Sequence, residues 1–310
     1  MKRLSIFIFA LLFALNASAQ ILYKISGNGL TKPSYIMGTY HLISLGELPN
    51  VKPLDKIVQE VEQFCGEFNL EESMKVNKLL QERTIDDSYF LPYPKTLKDI
   101  FTPEEYAEID LCTKEISGYS INNLSTQLQL PGIERLMPRN FGSLLSMIML
   151  ASTINASGGE FVSIDDALLR MGAMLYKPVI GLETAEFQLD LLSNPEKKSL
   201  QEEKALLLYV IRHWDEQVAM VVNLKEAYMK QDLAAMNRIL SNQKDMAIML
   251  GLQSPFNSIF NERDADWARR MPAIMRDKST FFFVGVGHLA GDPGVLNLLR
   301  QQGFTVEPLQ

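Results

Sequence analysis

Tyr35-Ile36-Met37-Gly38-Thr39-Tyr40-His41-Leu42 and Phe282-Phe283-Val284-Gly285-Val286-Gly287-His288-Leu289 share one pattern. Each has an aromatic residue, two apolar residues, glycine, two further residues, histidine and leucine. The chain holds only three histidines in 310 residues, so a pattern that takes two of them is a repeated device. Its physics is that of a buried strand running to its carboxyl end. Glycine there lets the backbone turn or lets another group approach closely. The histidine then reaches the rim of the sheet, where open α/β folds place their ligand crevice. If the two strands run parallel, both imidazoles converge on one site.

Further strand-like runs are Tyr23–Ser26, Phe64–Phe68, Pro178–Leu182 and Phe304–Glu307, and the quoted pair supplies Ser34–Met37 and Phe281–Val286. Helical patterns fall between them, at Pro53–Gln63, at Pro103–Ser117 behind a Thr102 N-cap, and at Leu144–Ile154. Glu196–Leu250 contains neither Gly nor Pro. Its residues Leu207, Val210, Ile211, Trp214, Val218, Val221 and Val222 recur at helical spacing, and Asp232 is placed to cap a following helix. Strands near both termini with helices between predict an α/β domain. Its central mixed β-sheet is completed by the C-terminal strands, and a large inserted helical region covers about residues 70–160 and 190–275. His213, one position off the apolar face, reads as structural.

Composition removes several functional classes. With 47% hydrophobic and 22% charged residues the chain is too apolar for disorder. A net charge of −7 lacks the basic excess that nucleic-acid binding needs. Cys65 and Cys112 are too few for a disulfide scaffold, and the sequence leaves them either paired with each other in an oxidising compartment or as single buried thiols. Residues 1–19, MKRLSIFIFALLFALNASA, have a basic start, an apolar run from Leu4 to Leu15 and a small-residue end, the form of a secretory leader cleaved between Ala19 and Gln20. That apolar run falls short of the roughly 20 residues needed to span a bilayer. Its removal leaves residues 20–310 with 28 basic and 37 acidic residues, a charge of −9. The mature protein is then expected to be secreted or periplasmic, without a transmembrane anchor.

Three further side chains join the histidines. Glu67 lies within an apolar strand, where an ionised carboxylate needs a metal, a histidine or an arginine beside it. Glu183 follows Gly181-Leu182 where a strand gives way to a helix. Arg263 opens a helical run through Trp267 and Met271, as a clamp for an anion or oxyanion. No His-Glu-x-x-His, Gly-x-Ser-x-Gly or phosphate-binding loop is present. Two histidines with one or two glutamates make either a 2-His-carboxylate metal centre or a His/Glu acid–base pair.

At these residues the chain resembles the TraB/GumN family, related to the Tiki proteases and more distantly to erythromycin-esterase and ChaN-like folds. The resemblance rests on Leu22-Tyr23-Lys24-Ile25-Ser26-Gly27, Lys32-Pro33-Ser34-Tyr35, the two Gly-x-x-His motifs at Gly38 and Gly285, the Glu67 strand, Ser163-Ile164-Asp165, Gly181-Leu182-Glu183-Thr184 and the Arg263 helix. The sequence departs from the family at Cys65-Gly66, before Glu67, and at Asn69, where Asp is common. The resemblance implies a metal-dependent hydrolase, a peptidase by similarity to Tiki proteins. His41, Glu67 and His288 would hold manganese or cobalt, with zinc or iron also compatible with the ligand types. Glu183 would be a further ligand or general base and Arg263 an oxyanion stabiliser, acting on a peptide or small-molecule substrate. Two rival readings use the same residues: a metal-free esterase-like His/Glu hydrolase, and a non-catalytic protein that binds a peptide, a signal or a haem-like ligand.

Overall fold

The structure is a computed structural model and describes residues 20–51, 53–82, 87–155, 161–193, 198–241 and 259–309. The leader at 1–19 and the end of the Gly- and Pro-free stretch, from 242 onward, lie outside the described residues. Six strands form one mixed sheet: β1 (Leu22–Gly27), β2 (Ser34–Thr39), β3 (Gln63–Gly66), β4 (Val179–Gly181), β5 (Thr280–Gly285) and β6 (Phe304–Pro308). The helices are α1 (Leu54–Glu60), α2 (Leu70–Glu82), α3 (Leu97–Ile100), α4 (Pro103–Ser117), α5 (Ile121–Leu128), α6 (Pro138–Asn155), α7 (Ile164–Met174), α8 (Ala185–Ser193), α9 (Leu200–Arg212), α10 (Trp214–Met229), α11 (Leu233–Leu240), α12 (Asn261–Asp277) and α13 (Val295–Gln301).

The strand order is β4-β3-β5-β2-β1-β6. β4, β3, β5 and β2 run parallel, and β1 is antiparallel to both β2 and β6. The sheet is thus mixed and completed by C-terminal strands. Side-chain alternation splits its core between two faces. Phe281 and Phe283 of β5 pack with Phe64, Tyr228 and Leu168 on one face. Phe282 and Val284 pack with Trp267, Met271 and Leu299 on the other. A third cluster, away from the sheet, joins Ile109, Cys112, Phe141, Leu145, Leu207 and Ile211 of the inserted helices.

Local signals explain the element ends. Thr102 caps α4 by accepting the Glu105 N–H, Pro103 holds the first helical position, and Asp232 caps α11 by accepting the Ala235 N–H. Three details differ from the sequence reading. The first helical pattern stops at Glu60, because Gln63 already pairs with Thr280 in the sheet. β3 ends at Gly66, so Glu67 stands one residue beyond the strand rather than within it. The long helical stretch breaks at His213, whose ring bonds the Tyr209 carbonyl at 2.8 Å and stacks on the Tyr209 ring. In the helix that follows the break, Val218 and Val222 face solvent, while Val221 stays buried. No described helix is long and apolar enough to cross a membrane.

Candidate functional site

β2 and β5 are neighbours in parallel register, Thr39 opposite Gly285, so both Gly-x-x-His segments leave the same edge of the sheet. Glu67 and Glu183 leave that edge as well, from the adjacent β3 and β4. The Leu182 and Glu183 N–H groups donate to the Gly66 and Glu67 carbonyls, so pairing continues beyond the strand ends. All the side chains predicted from sequence meet there. The space above the Gly285 Cα, where a Cβ would sit, is bounded by Glu67 Oε1 at 3.3 Å, His41 Nε2 at 3.4 Å and His288 Cδ2 at 3.6 Å. Gly285 has φ −50°, so its glycine serves close approach rather than a left-handed turn. Gly38 does the same one strand away. A Cβ there would lie 2.8 Å from Leu289 Cδ1 and 2.9 Å from Val286 Cγ2, which packs the second motif against the first.

Each histidine is oriented by an aspartate that the sequence reading did not assign to the site. His41 Nδ1 lies 2.8 Å from Asp165 Oδ2, and Thr39 Oγ1 donates to Asp165 Oδ1 at 2.7 Å. His288 Nδ1 lies 2.6 Å from Asp264 Oδ1. Both Nε2 atoms therefore face inward. Asp264 follows Arg263 directly, and Asp165 belongs to the Ser163-Ile164-Asp165 segment of the resemblance. Neither position carries a local spacing that marks it as a partner of a distant histidine. Gln188 of α8 and Trp267 of α12 also join the site without such a mark.

The two rings differ in environment. The His41 side chain is 61% exposed, and among the described residues no hydrogen-bond partner reaches its Nε2. The Asp165 carboxylate raises its pKa to about 9, against the opposing charge of Arg263. His288 is buried between Phe260 and Trp267, with ring centroids at 5.0 and 4.5 Å.

Arg263 lies at the centre and is buried, 6% exposed. Its Nε donates to Glu183 Oε1 at 2.8 Å, and Nη2 donates to Glu183 Oε2 at 2.8 Å and to Glu67 Oε2 at 2.7 Å. Nη1 donates to the Ile259 carbonyl at 3.0 Å and to His288 Nε2 at 3.1 Å. All five guanidinium N–H groups are thus engaged. Burial pushes the Glu67 carboxyl up, but Arg263 and the Gly285 N–H, which donates to Oε1 at 2.8 Å, hold it well below the usual carboxylate range. Gln188 Nε2 donates to Glu67 Oε2 at 2.8 Å. Trp267 Nε1 donates to Glu183 Oε1 at 2.9 Å, so both Glu183 oxygens are taken. Burial pushes Asp264 above its usual range, against the pull of His288 and Arg263.

These contacts decide what the site can hold. A catalytic metal centre uses three protein ligands with free lone pairs. Here His41 Nε2 and Glu67 Oε1 point into the site, while His288 Nε2 and Glu67 Oε2 already accept from Arg263. The three-ligand set expected from the sequence does not fit with Arg263 in place. Among the described residues no group of three or more His, Cys, Asp or Glu is disposed around a common ion position. Nor does Arg263 have a donor left for an oxyanion, or Glu183 a lone oxygen for base catalysis. In this arrangement the two side chains are bonded to one another and to the groups around them.

No curated protein and no solved structure matches the chain. One family model does, described as the TraB/PrgY/gumN family, and it matches residues 21–308. That span runs from the residue before β1 to the end of β6 and takes in both histidine motifs, Glu67, Glu183 and Arg263. With a match of that extent over one continuous fold, the chain belongs to the TraB/PrgY/gumN family.

Proposed function

We propose that this protein is a hydrolase of carbonyl substrates, a peptide or an ester, in which His41 is the general base and Asp165 orients it. The observation that carries this reading is the His41–Asp165 pair at 2.8 Å, on an exposed ring whose Nε2 lies beside Glu67 around the Gly285 Cα. Nδ1–H donation to a carboxylate leaves Nε2 as the acceptor and stabilises the imidazolium once it forms. His41 Nε2 then takes a proton from water as the water oxygen attacks the carbonyl carbon. The same proton goes to the leaving group as the tetrahedral adduct collapses. Glu67, anchored by Arg263, Gln188 and the Gly285 N–H, supplies the fixed negative charge facing the imidazolium. With residues 1–19 read as a leader, the activity belongs outside the cytoplasm.

A second reading, a metal-dependent peptidase, is favoured by one feature. Both histidines give Nδ1 to a carboxylate and turn Nε2 inward, as metal-ligating histidines do. When bound, a divalent ion would supply Lewis-acid activation of water, and His41 with Glu67 Oε1 would be its first ligands. The two readings separate in one experiment, hydrolysis of a panel of peptide and ester substrates before and after exhaustive chelation. Activity that survives chelation and is lost in His41→Ala supports the metal-free hydrolase. Activity that vanishes on chelation and returns with manganese or cobalt supports the metal reading. Unchanged activity in His41→Ala overturns both.

The pH profile gives the sign. The groups facing His41 are Asp165 and Glu67, which favour its protonated form, and Arg263, which opposes it. The base form therefore grows as pH rises, and kcat/KM is expected to climb from pH 6 towards a plateau above about 9. A flat or falling profile over that range removes His41 as the base.

A further inference from the structure

We infer that Arg263 is the resident cation of this site, in the place a metal ion would take, and that His288 is a positioning residue for Arg263. The paired histidine motifs thus serve different ends: the first presents an open base, the second locks a guanidinium. The assignment goes beyond the proposed activity and holds for whatever reaction His41 serves.

The hydrogen-bond network fixes the protons. Arg263 carries donors only, so at 3.1 Å His288 Nε2 must be an acceptor. A ring with a bare Nε2 carries its proton on Nδ1, which donates to Asp264 at 2.6 Å. The opposite arrangement, with Asp264 giving a proton to Nδ1, would turn an Nε2–H against the Arg263 Nη1–H. The buried ring is held by its packing against Phe260 and Trp267, with centroids at 5.0 and 4.5 Å. The guanidinium is held as firmly, doubly bonded to Glu183 and lying over the Trp267 ring at 4.7 Å. A divalent ion taking His288 Nε2 and Glu67 Oε2 would have to break the Nη1 and Nη2 bonds. It would then sit beside a guanidinium still tied to Glu183 and Ile259, cation against cation in a buried site.

The test reads protons and metal rather than turnover. Full-length protein with 15N-labelled histidine is examined by long-range 1H–15N correlation at pH 7, with and without one equivalent of Zn2+. The expected result is a neutral His288 protonated on Nδ1, with nitrogen signals that Zn2+ leaves in place. A His288 protonated on Nε2, or an Nε2 signal that moves to a metal-bound position at one equivalent, overturns the inference. Zn2+ calorimetry of Arg263→Gln supplies a second measurement. Freeing His288 Nε2 and Glu67 Oε2 should tighten Zn2+ binding at least tenfold over wild type, a gain lost in Arg263→Gln/His288→Ala. A folded Arg263→Gln that binds no more tightly than wild type overturns the inference. Should that variant not fold, the wild-type spectrum alone decides. Unchanged activity in His41→Ala, together with the expected His288 spectrum, would count against the hydrolase and leave this assignment standing.

Discussion

Arg263 neutralises two buried glutamates at once, and removing it would leave both Glu67 and Glu183 uncompensated. Breaking a buried ion pair from one side costs about 3–5 kcal/mol. Arg263→Met is therefore expected to lose stability on that order in denaturant unfolding, and a loss under 1 kcal/mol would show that the carboxylates find other partners. Asp165→Asn tests the other half of the site. Removing the carboxylate that raises His41 should lower the pH at which its imidazole titrates and shift the rising limb of the pH–rate profile the same way. On the hydrolase reading kcat should fall by about 10²–10⁴, the usual worth of a positioned acid–base group. An unmoved His41 titration would mean that Asp165 is only a structural acceptor for Thr39.

At the scale of elements, the site depends on how closely β2 and β5 approach. Gly38 lies where an added Cβ meets Leu289 and Val286, including the Val286 Cα at 3.1 Å, and backbone has little room to give. Overpacking of this kind costs about 1–3 kcal/mol, so Gly38→Ala should lower the melting temperature. Gly285→Ala meets only side-chain atoms at 3.3–3.6 Å, and exposed His41 can yield. It should unfold near the wild-type temperature while lowering substrate turnover, because the methyl group enters the space between His41 and Glu67. An equal loss of stability in the two variants would contradict this division. The repeated motif, the six strands and the caps at Thr102 and Asp232 were legible in the sequence, because each rests on neighbours along the chain. The break at His213 was not, because a run without Gly or Pro hides a helix end that tertiary packing imposes.

At the scale of the whole molecule, the core is divided, and the division separates the two cysteines. Cys65 is buried in the sheet among Phe282, Trp267 and Leu182, and Cys112 is buried in the helical cluster with Phe141 and Leu207. Both are free. Burial raises both thiols, Cys112 to about 12, so neither forms a reactive thiolate near neutral pH. A thiol reagent should find none in native protein and two per chain in denaturant, even after handling in air. Fewer than two in denaturant would reveal an oxidised pair.

The sequence by itself determined the α/β class, the strand segments, the family and the five side chains that gather at the sheet edge. The class and the strands follow from local periodicity, the side chains from a repeated motif and from charges set in apolar segments, and the family from its likeness over residues 21–308. Only the tertiary structure decided their roles. Asp165 and Asp264 become partners of His41 and His288 through packing, and the five donors of Arg263 are counted only once distant acceptors surround it. Hydrogen bonding depends on distance and direction in space, which spacing along a chain does not encode.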